Sequence, residues 1–395
     1  MNASKLIAAA LLATAAGTAL AQDIKLGFMC PLTGGSAPFG VSARDGASLA
    51  VKEINARGGV LGRKLVLAER DTESKNERGV QLAQELIQTE KVAAGIGFCN
   101  TGVSLAAQKY FQEARIPVFD PVATGTAVTR QFPAPSYVFR VGPRDELQAR
   151  MLVDETLRQS KARVAILADS TNYGQLGRAD VEKALIAKGM KPVAVEKFNV
   201  RDVDMTPQLL KARQAGADII VAYGIGPELA QIANSMAKLG WKVPLVTSWN
   251  SAMSNFIDTA QANGNGVRMP QTFIQEATDQ RKQAFIASYA RDYQLERIPS
   301  PSSAAQAYDA VLLLAAALQQ AGSTDGVKVR EALEQLRQPV AGVIGTYTRP
   351  FDANERDATP AGMIVWGEVR DGRVVYAYAH ERSAGNAGST AASSK

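Results

Sequence analysis

The residues best placed to do chemistry stand in the stretch Gly95-Ile96-Gly97-Phe98-Cys99-Asn100-Thr101-Gly102. Apolar Val92 to Phe98 has the character of a buried strand and Val103 to Ala114 that of a helix, with a short polar turn between them. A helix start presents backbone N–H groups without partners, and the helix dipole adds positive potential there, so such a turn attracts anions. The next strand, Ile116 to Asp120, runs the same way into Pro121-Val122-Ala123-Thr124-Gly125-Thr126. Two neighbouring strand ends then offer hydroxyls and amides to one crevice, half of a small-ligand site. Taken singly, each turn is equally an ordinary connection of an open α/β sheet, and many such turns hold no ligand.

Other reactive side chains are few. The chain has one histidine, His380, and two cysteines, Cys30 and Cys99. That is too few for a zinc site, and no Ser-His-Asp arrangement exists except through His380, beside a polar tail. With no nucleophile–base pair and no metal cluster visible, no enzyme activity, cofactor or metal is expected. Net charge is +6, from 44 Lys and Arg scattered among 38 Asp and Glu. No basic run is interleaved with aromatics, so nucleic acid is not an expected partner.

The elements that must position those turns follow from periodicity. The 395 residues suffice for two domains, and 46% apolar with 21% charged content suits a globular chain. Ile24 to Met29 reads as a strand, Ser42 to Arg57 as a helix stopped by Gly58-Gly59, and Lys64 to Ala68 as a strand. Ser74 to Glu77 has the form of a capping box opening a helix to Thr89. With the two units above, this is a doubly wound parallel sheet. After Gly142-Pro143 the alternation restarts and runs to Leu245–Thr247, enough for a second α/β lobe. Helices follow at Gln280 to Tyr293, Ser302 to Gln320 and Val327 to Leu336 without new strands. The chain closes with strands Ala361 to Val369 and Arg373 to Ala379 joined at Asp371-Gly372, then a Gly/Ala/Ser-rich tail. In the doubly wound order the first and third strands are neighbours, about 4.8 Å apart. Cys30 and Cys99 at their ends are then either a disulfide or two buried thiols.

At the N-terminus, Met1 to Lys5 is basic and Leu6 to Ala16 is apolar but too short to span a bilayer. Ala19-Leu20-Ala21 fits a signal cleavage site, which predicts export to the periplasm and a mature start at Gln22. No cysteine follows the cleavage point, so no lipid anchor is expected.

Leu26-Gly27 to Cys30-Pro31-Leu32-Thr33-Gly34 resembles the opening strand and turn of the periplasmic binding proteins of branched-chain amino-acid ABC transporters. The resemblance continues through Ala50-Val51-Lys52-Glu53-Ile54-Asn55, Gly58 to Lys64, Tyr137-Val138-Phe139-Arg140, Asn172-Tyr173-Gly174 and Ala307 to Val311. It implies a type I architecture, two doubly wound α/β lobes joined by three crossover strands. Lobe one would hold 22–141 and 274–340, and lobe two 142–273 and 341–380, with 1–21 a signal peptide and 381–395 a disordered tail. It also implies a monomeric receptor that delivers a small carboxylate to ABC permease subunits; a ligand sensor of the same fold is the alternative.

By resemblance, Asn100, Thr101, Val122 and Thr124 hold the ligand carboxylate, and Phe39 and Tyr173 pack on the ligand. Ile225, with Tyr223 nearby, stands at a displaced aromatic position, and Trp249 occupies the remaining contact position. Tyr308 and Asp309 are either an interlobe pair or ligand contacts. Trp249 stands where the family has an acid that pairs with the ligand ammonium. That departure predicts a ligand without an ammonium and with an apolar or aromatic body, unless Asp120 or the Trp249 ring face holds a cation.

Overall fold

The computed structural model describes residues 22–384; the signal-peptide reading and the tail beyond 384 lie outside the described residues. The first sheet is built from β1 (Ile24–Cys30), β2 (Leu65–Asp71), β3 (Ala94–Gly97), β4 (Val118–Asp120) and β5 (Val138–Arg140). Its order is β2-β1-β3-β4-β5 and every pair is parallel. Helices α1 (Ala37–Ala56), α2 (Asn76–Gln88) and α3 (Thr101–Ala114) make the crossovers. All parallel strands therefore end at one edge, which is where a doubly wound sheet binds ligands.

The second lobe follows from α4 (Asp145–Arg158), β6 (Val164–Asp169), α5 (Asn172–Ala187), β7 (Ala194–Phe198), α6 (Thr206–Gln214), β8 (Ile219–Tyr223), α7 (Gly226–Lys238) and β9 (Leu245–Thr247). A short 3₁₀ turn, Trp249–Ala252, leads to α8 (Ser254–Ala260) and β10 (Arg268–Gln271). The chain then returns to the first lobe as α9 (Gln280–Tyr293), α10 (Pro301–Ala321) and α11 (Gly326–Glu334). The small hairpin β11 (Val340–Ala341) and β12 (Thr346–Tyr347) comes next, then β13 (Val365–Arg370), β14 (Arg373–Tyr376) and α12 (Ala379–Ala384). The second sheet runs β14-β13-β10-β9-β8-β6-β7, with β13 and β14 antiparallel at one edge. Helix α10 lies along α1, close enough at Gly46 that a Cβ there would collide with the Ala304 carbonyl.

Several sequence expectations move. Residues 341–380 were assigned to the second lobe as one block, yet Tyr347, Phe351 and Ala358 are buried in the first lobe's core. The Phe351 ring lies 5.0 Å from Phe139 and 5.7 Å from Phe119. Residues 356–358 run beside β5, where Arg140 N–H donates to the Arg356 carbonyl (2.8 Å) and Ala358 N–H to that of Arg140 (2.8 Å). The third passage between lobes thus comes after Ala358, because three apolar side chains before it find their burial in lobe one. The tail expected to be disordered from 381 begins as helix α12, with Glu381 accepting the Trp366 N–H (2.7 Å).

Helix α1 starts at Ala37 rather than Ser42, with a proline in its first turn, where a missing N–H costs nothing. The capping box at Ser74 does not form. Ser74 has φ +58° and the cap of α2 is Lys75, without a side-chain bond. Asp71 orders that turn instead, accepting the N–H groups of Glu73 and Leu32 (2.8 Å each).

Candidate functional site

The strand ends place the polar turns as the residue types require. Asn100 caps α3 in extended conformation without a side-chain cap bond, so its Oδ1 is buried and unpaired. Thr101 opens the helix, 2% exposed, and its Oγ1 accepts the Gly125 N–H (3.2 Å). That bond ties the two lobe-one turns together. Asp120 ends β4 but faces its own turn: Ser104 Oγ donates to it and so does Ala123 N–H (3.0 Å). Burial pushes its carboxyl up to about 6 against those bonds. Asp120 is not among the cleft's lining residues, so it is not the counter-charge that the sequence left open. Cys30 and Cys99 are joined as a disulfide with Cα atoms 5.2 Å apart, and Cys99 immediately precedes the Asn100-Thr101 turn.

In the second lobe, Tyr173 lies in the first turn of α5, not in a loop. Thr171 caps that helix by accepting the Gly174 N–H (3.3 Å), and Asp169 at the end of β6 accepts the Thr171 N–H (2.8 Å). Burial pushes Asp169 up to about 6. The Tyr173 ring packs on Tyr223 at 5.1 Å, and its hydroxyl accepts from Asn250 Nδ2 (3.1 Å). The same Asn250 amide donates to the Gly224 carbonyl (3.0 Å), which fixes the side chain and leaves its Oδ1 without a partner. Trp249 is held through its carbonyl, which accepts from Gln271 Nε2 (2.8 Å), while its Nε1–H is buried and unpaired. Ile225 is the cap residue of α7.

All eight residues named from the sequence, Phe39, Asn100, Thr101, Val122, Thr124, Tyr173, Ile225 and Trp249, line one cavity of about 680 Å³ between the lobes. The lobes meet around it. Phe39 of lobe one faces Trp249 of lobe two at 5.9 Å, and Asn255 Nδ2 donates to the Gly35 carbonyl (2.8 Å). Thr126 Oγ1 of lobe one donates to Asp180 on α5 of lobe two (2.7 Å). The cavity therefore has a polar floor of amides and hydroxyls in lobe one and an aromatic wall closed by lobe two.

None of those eight side chains is ionisable as a carboxylate or cation. The charged lining residues are Glu73, Lys75, Glu77 and Arg201, which are exposed, Asp202, which is half-buried, and Glu228, which is buried. Glu228 Oε1 accepts the Arg201 N–H (2.7 Å). Tyr308 and Asp309 do not line the cavity. Tyr308 donates to Glu53 (2.5 Å), and Asp309 accepts from Val343 N–H (2.7 Å), Ile344 N–H (3.0 Å) and Tyr347 Oη (2.8 Å).

Sequence reasoning missed Asn250, Glu228 and Asp145, and kept Tyr223 only as a neighbour of Ile225. Asn250 stood in the aligned stretch beside Trp249 and was readable there. Glu228 carried a weak signal, as an acid in the first turn of a Pro-started helix. Asp145 had none, since its place beside Thr124 is set by the packing of α4, where its N–H donates to the Thr124 carbonyl (2.8 Å).

Comparison with known proteins fits this geometry. The family model for periplasmic binding proteins matches residues 23–370. Leu/Ile/Val-binding protein homolog 3 of Brucella melitensis is 29% identical over 349 residues, 87% of this chain and 92% of that protein. An ABC transporter substrate-binding protein from Desulfitobacterium hafniense, solved in complex with Leu, is 28% identical with a TM-score of 0.73, covering 90% of this chain and 99% of that one. A solute-binding protein of an ABC transporter from R. palustris, solved in complex with benzoate, has a TM-score of 0.78 at 22% identity, over 90% of this chain and 95% of that one. At that identity it speaks to the fold alone. Since the match runs through both lobes and every turn that lines the cleft, the chain belongs to the periplasmic binding protein family, in its two-lobed type I form.

Proposed function

We propose that the protein captures a small carboxylate between its lobes and delivers it to the permease subunits of an ABC transporter. The carboxylate end rests on the lobe-one turns at Asn100-Thr101 and Val122 to Thr124. An apolar or aromatic body fills the space among Phe39, Tyr173, Ile225 and Trp249. The protein works as a monomer, exported by cleavage after Ala21.

The observation that carries this reading is the asymmetry of the cleft. One lobe offers amides and hydroxyls at a helix start, and the other offers the aromatic and apolar faces of Tyr173, Ile225 and Trp249. Glu228 is the buried acid of the lining, and it already accepts the Arg201 N–H (2.7 Å). The family position that pairs with a ligand ammonium holds Trp249, and Asp120 is consumed by its own turn. An ammonium brought into such a cleft lacks a partner at that place, and a buried unpaired charge costs several kcal/mol. The preferred ligand is therefore a carboxylate without an ammonium. The relatives named for Leu, Ile and Val favour the opposite choice, and buried Glu228 is the group that would take an ammonium in that case.

Calorimetry with leucine, its keto acid 4-methyl-2-oxopentanoate, phenylalanine and benzoate separates the two. The keto acid or benzoate is expected to bind more tightly than the matching amino acid. If leucine binds far more tightly than its deaminated analogue, the ammonium is recognised and the ligand class proposed here is wrong.

A further inference from the structure

Behind the Thr124 turn, three polar atoms share one buried space. Asp145 opens α4, is 0% exposed, and its N–H donates to the Thr124 carbonyl (2.8 Å). Its Oδ1 accepts from Gln148 Nε2 (2.9 Å). Its Oδ2, the Thr124 Oγ1 and the Tyr223 Oη are all buried, and no group outside this cluster completes a hydrogen bond to any of them. The Thr124 and Tyr223 hydroxyls approach the carboxyl as hydrogen-bonding neighbours and hold its pKa down against burial. On its other side Thr124 lines the cleft.

A threonine hydroxyl has one proton to give. An ionised carboxylate is acceptor-only, so an ionised Asp145 draws that proton toward itself and turns the Thr124 lone pairs to the cleft. A ligand carboxylate then meets lone pairs and a second buried negative charge. A protonated Asp145 reverses the polarity: its O–H donates toward Thr124, whose own O–H is released to the ligand. Resting on the carboxylate reading above, we propose that Asp145 is a positioning residue for Thr124, and that a ligand carboxylate enters the cleft together with one proton, held at Asp145.

The surrounding charges permit this. Arg140 on β5 favours the ionised form, but its guanidinium is committed to Asp357 Oδ1 (2.7 Å) and the Gly125 carbonyl (2.7 Å). Asp180 on α5 opposes ionisation. Tyr173 and Tyr223, the phenols packed against the site, are both pushed well above the usual range by burial and stay neutral. Burial sets the balance at Asp145 and pushes its carboxyl up to about 7 in the empty cleft. A ligand carboxylate adds a like charge in a dry site and raises it further.

The sign follows. Binding takes up a proton, so affinity is full where Asp145 is already protonated and falls as pH rises through its free-site value. The competent fraction then drops about 30-fold between pH 5.5 and 8.5.

The test is calorimetry at pH 5.5, 7.0 and 8.5 with benzoate, 4-methyl-2-oxopentanoate and leucine, on the wild type and on Asp145→Asn. The substituted amide keeps an acceptor for Gln148 and a donor for Thr124 without titrating. The deaminated acids are expected to weaken at least tenfold from pH 5.5 to 8.5 on the wild type, and to bind Asp145→Asn with one affinity at all three values. Affinity that does not change with pH, that rises with pH, or that keeps its slope in Asp145→Asn overturns the coupling while leaving the carboxylate ligand standing. Absence of binding by all three acids at pH 5.5 removes the carboxylate reading and the coupling with it. Should Asp145→Asn not fold, wild-type titrations at pH 8.5 in two buffers of different ionisation enthalpy count the proton directly: uptake near one supports the proposal, and zero or release refutes it.

Discussion

Thr124 is where the two lobes meet at the scale of single atoms. Its carbonyl accepts from Asp145 of lobe two, while its hydroxyl is buried in the wall of the cleft with the Asp145 carboxyl behind it. A buried hydroxyl left unpaired costs free energy unless something else takes it, which is the position of a ligand contact. Thr124→Ala is expected to weaken binding of the deaminated acids by about 0.5–3 kcal/mol, the span for neutral and charge-assisted hydrogen bonds. Calorimetry reads it, and Thr124→Ser should recover most of the loss. An alanine variant of unchanged affinity would mean that the carboxylate sits elsewhere. The residue types on this turn were legible because a polar turn at a strand end is a local pattern, and its pairing with the neighbouring turn at Asn100-Thr101 pointed to one crevice. Trp249 was legible only as a departure from a pattern. That its indole N–H is unpaired, and that Asn250 is locked by Tyr173 and Gly224, arises from contacts across the fold.

Among the elements, the segment after β11 shows how a short turn governs lobe identity. Asp309 on α10 accepts from Val343, Ile344 and Tyr347, and Gly342 packs so closely on that carboxylate that a Cβ would collide with it. The Gly342-Gly345 region is therefore an anchored turn on lobe one, so the boundary expected between 340 and 341 falls inside that lobe. Phe351→Ala is expected to destabilise lobe one by about 3–5 kcal/mol, the cost of truncating a buried phenylalanine. Chemical denaturation measures this, and a change below 1 kcal/mol would return Phe351 to the surface of lobe two. The Cys30–Cys99 bridge links β1 to the turn after β3 over 69 residues of chain. Titration under denaturing, non-reducing conditions should find no free thiol, and replacing both cysteines by serine should cost about 2–5 kcal/mol. Two titratable thiols in the exported protein would refute the bridge.

For the whole molecule, the buried carboxyls set the response to pH. Asp120, Asp169 and Asp309 are each pushed up to about 6 and Asp145 to about 7, all by burial, from an ordinary value of 3.8. Between the ordinary and the raised values the folded chain holds more protons than the unfolded chain, so stability falls as pH rises through that window. Asp357 beside Arg140 and Glu368 beside Arg370 and Arg268 are held low despite burial, and their contribution is lost only as pH falls below the ordinary carboxylate range. The melting temperature should therefore be higher at pH 5.5 than at pH 8.0; an equal or lower value at pH 5.5 would contradict this balance. The sequence by itself determined the alternation of strand and helix and the two polar turns, because apolar periodicity and turn chemistry are local properties of the chain. The eight residues that line the cleft came from the family resemblance carried by the whole ordered series of motifs. Only the tertiary structure decided that Asp120 is consumed by its own turn, that Phe351 belongs to lobe one, and that Asp145 stands behind Thr124. Those facts depend on which surfaces pack together across more than a hundred residues, or on which way one side chain turns once they do, and neither is written in local spacing.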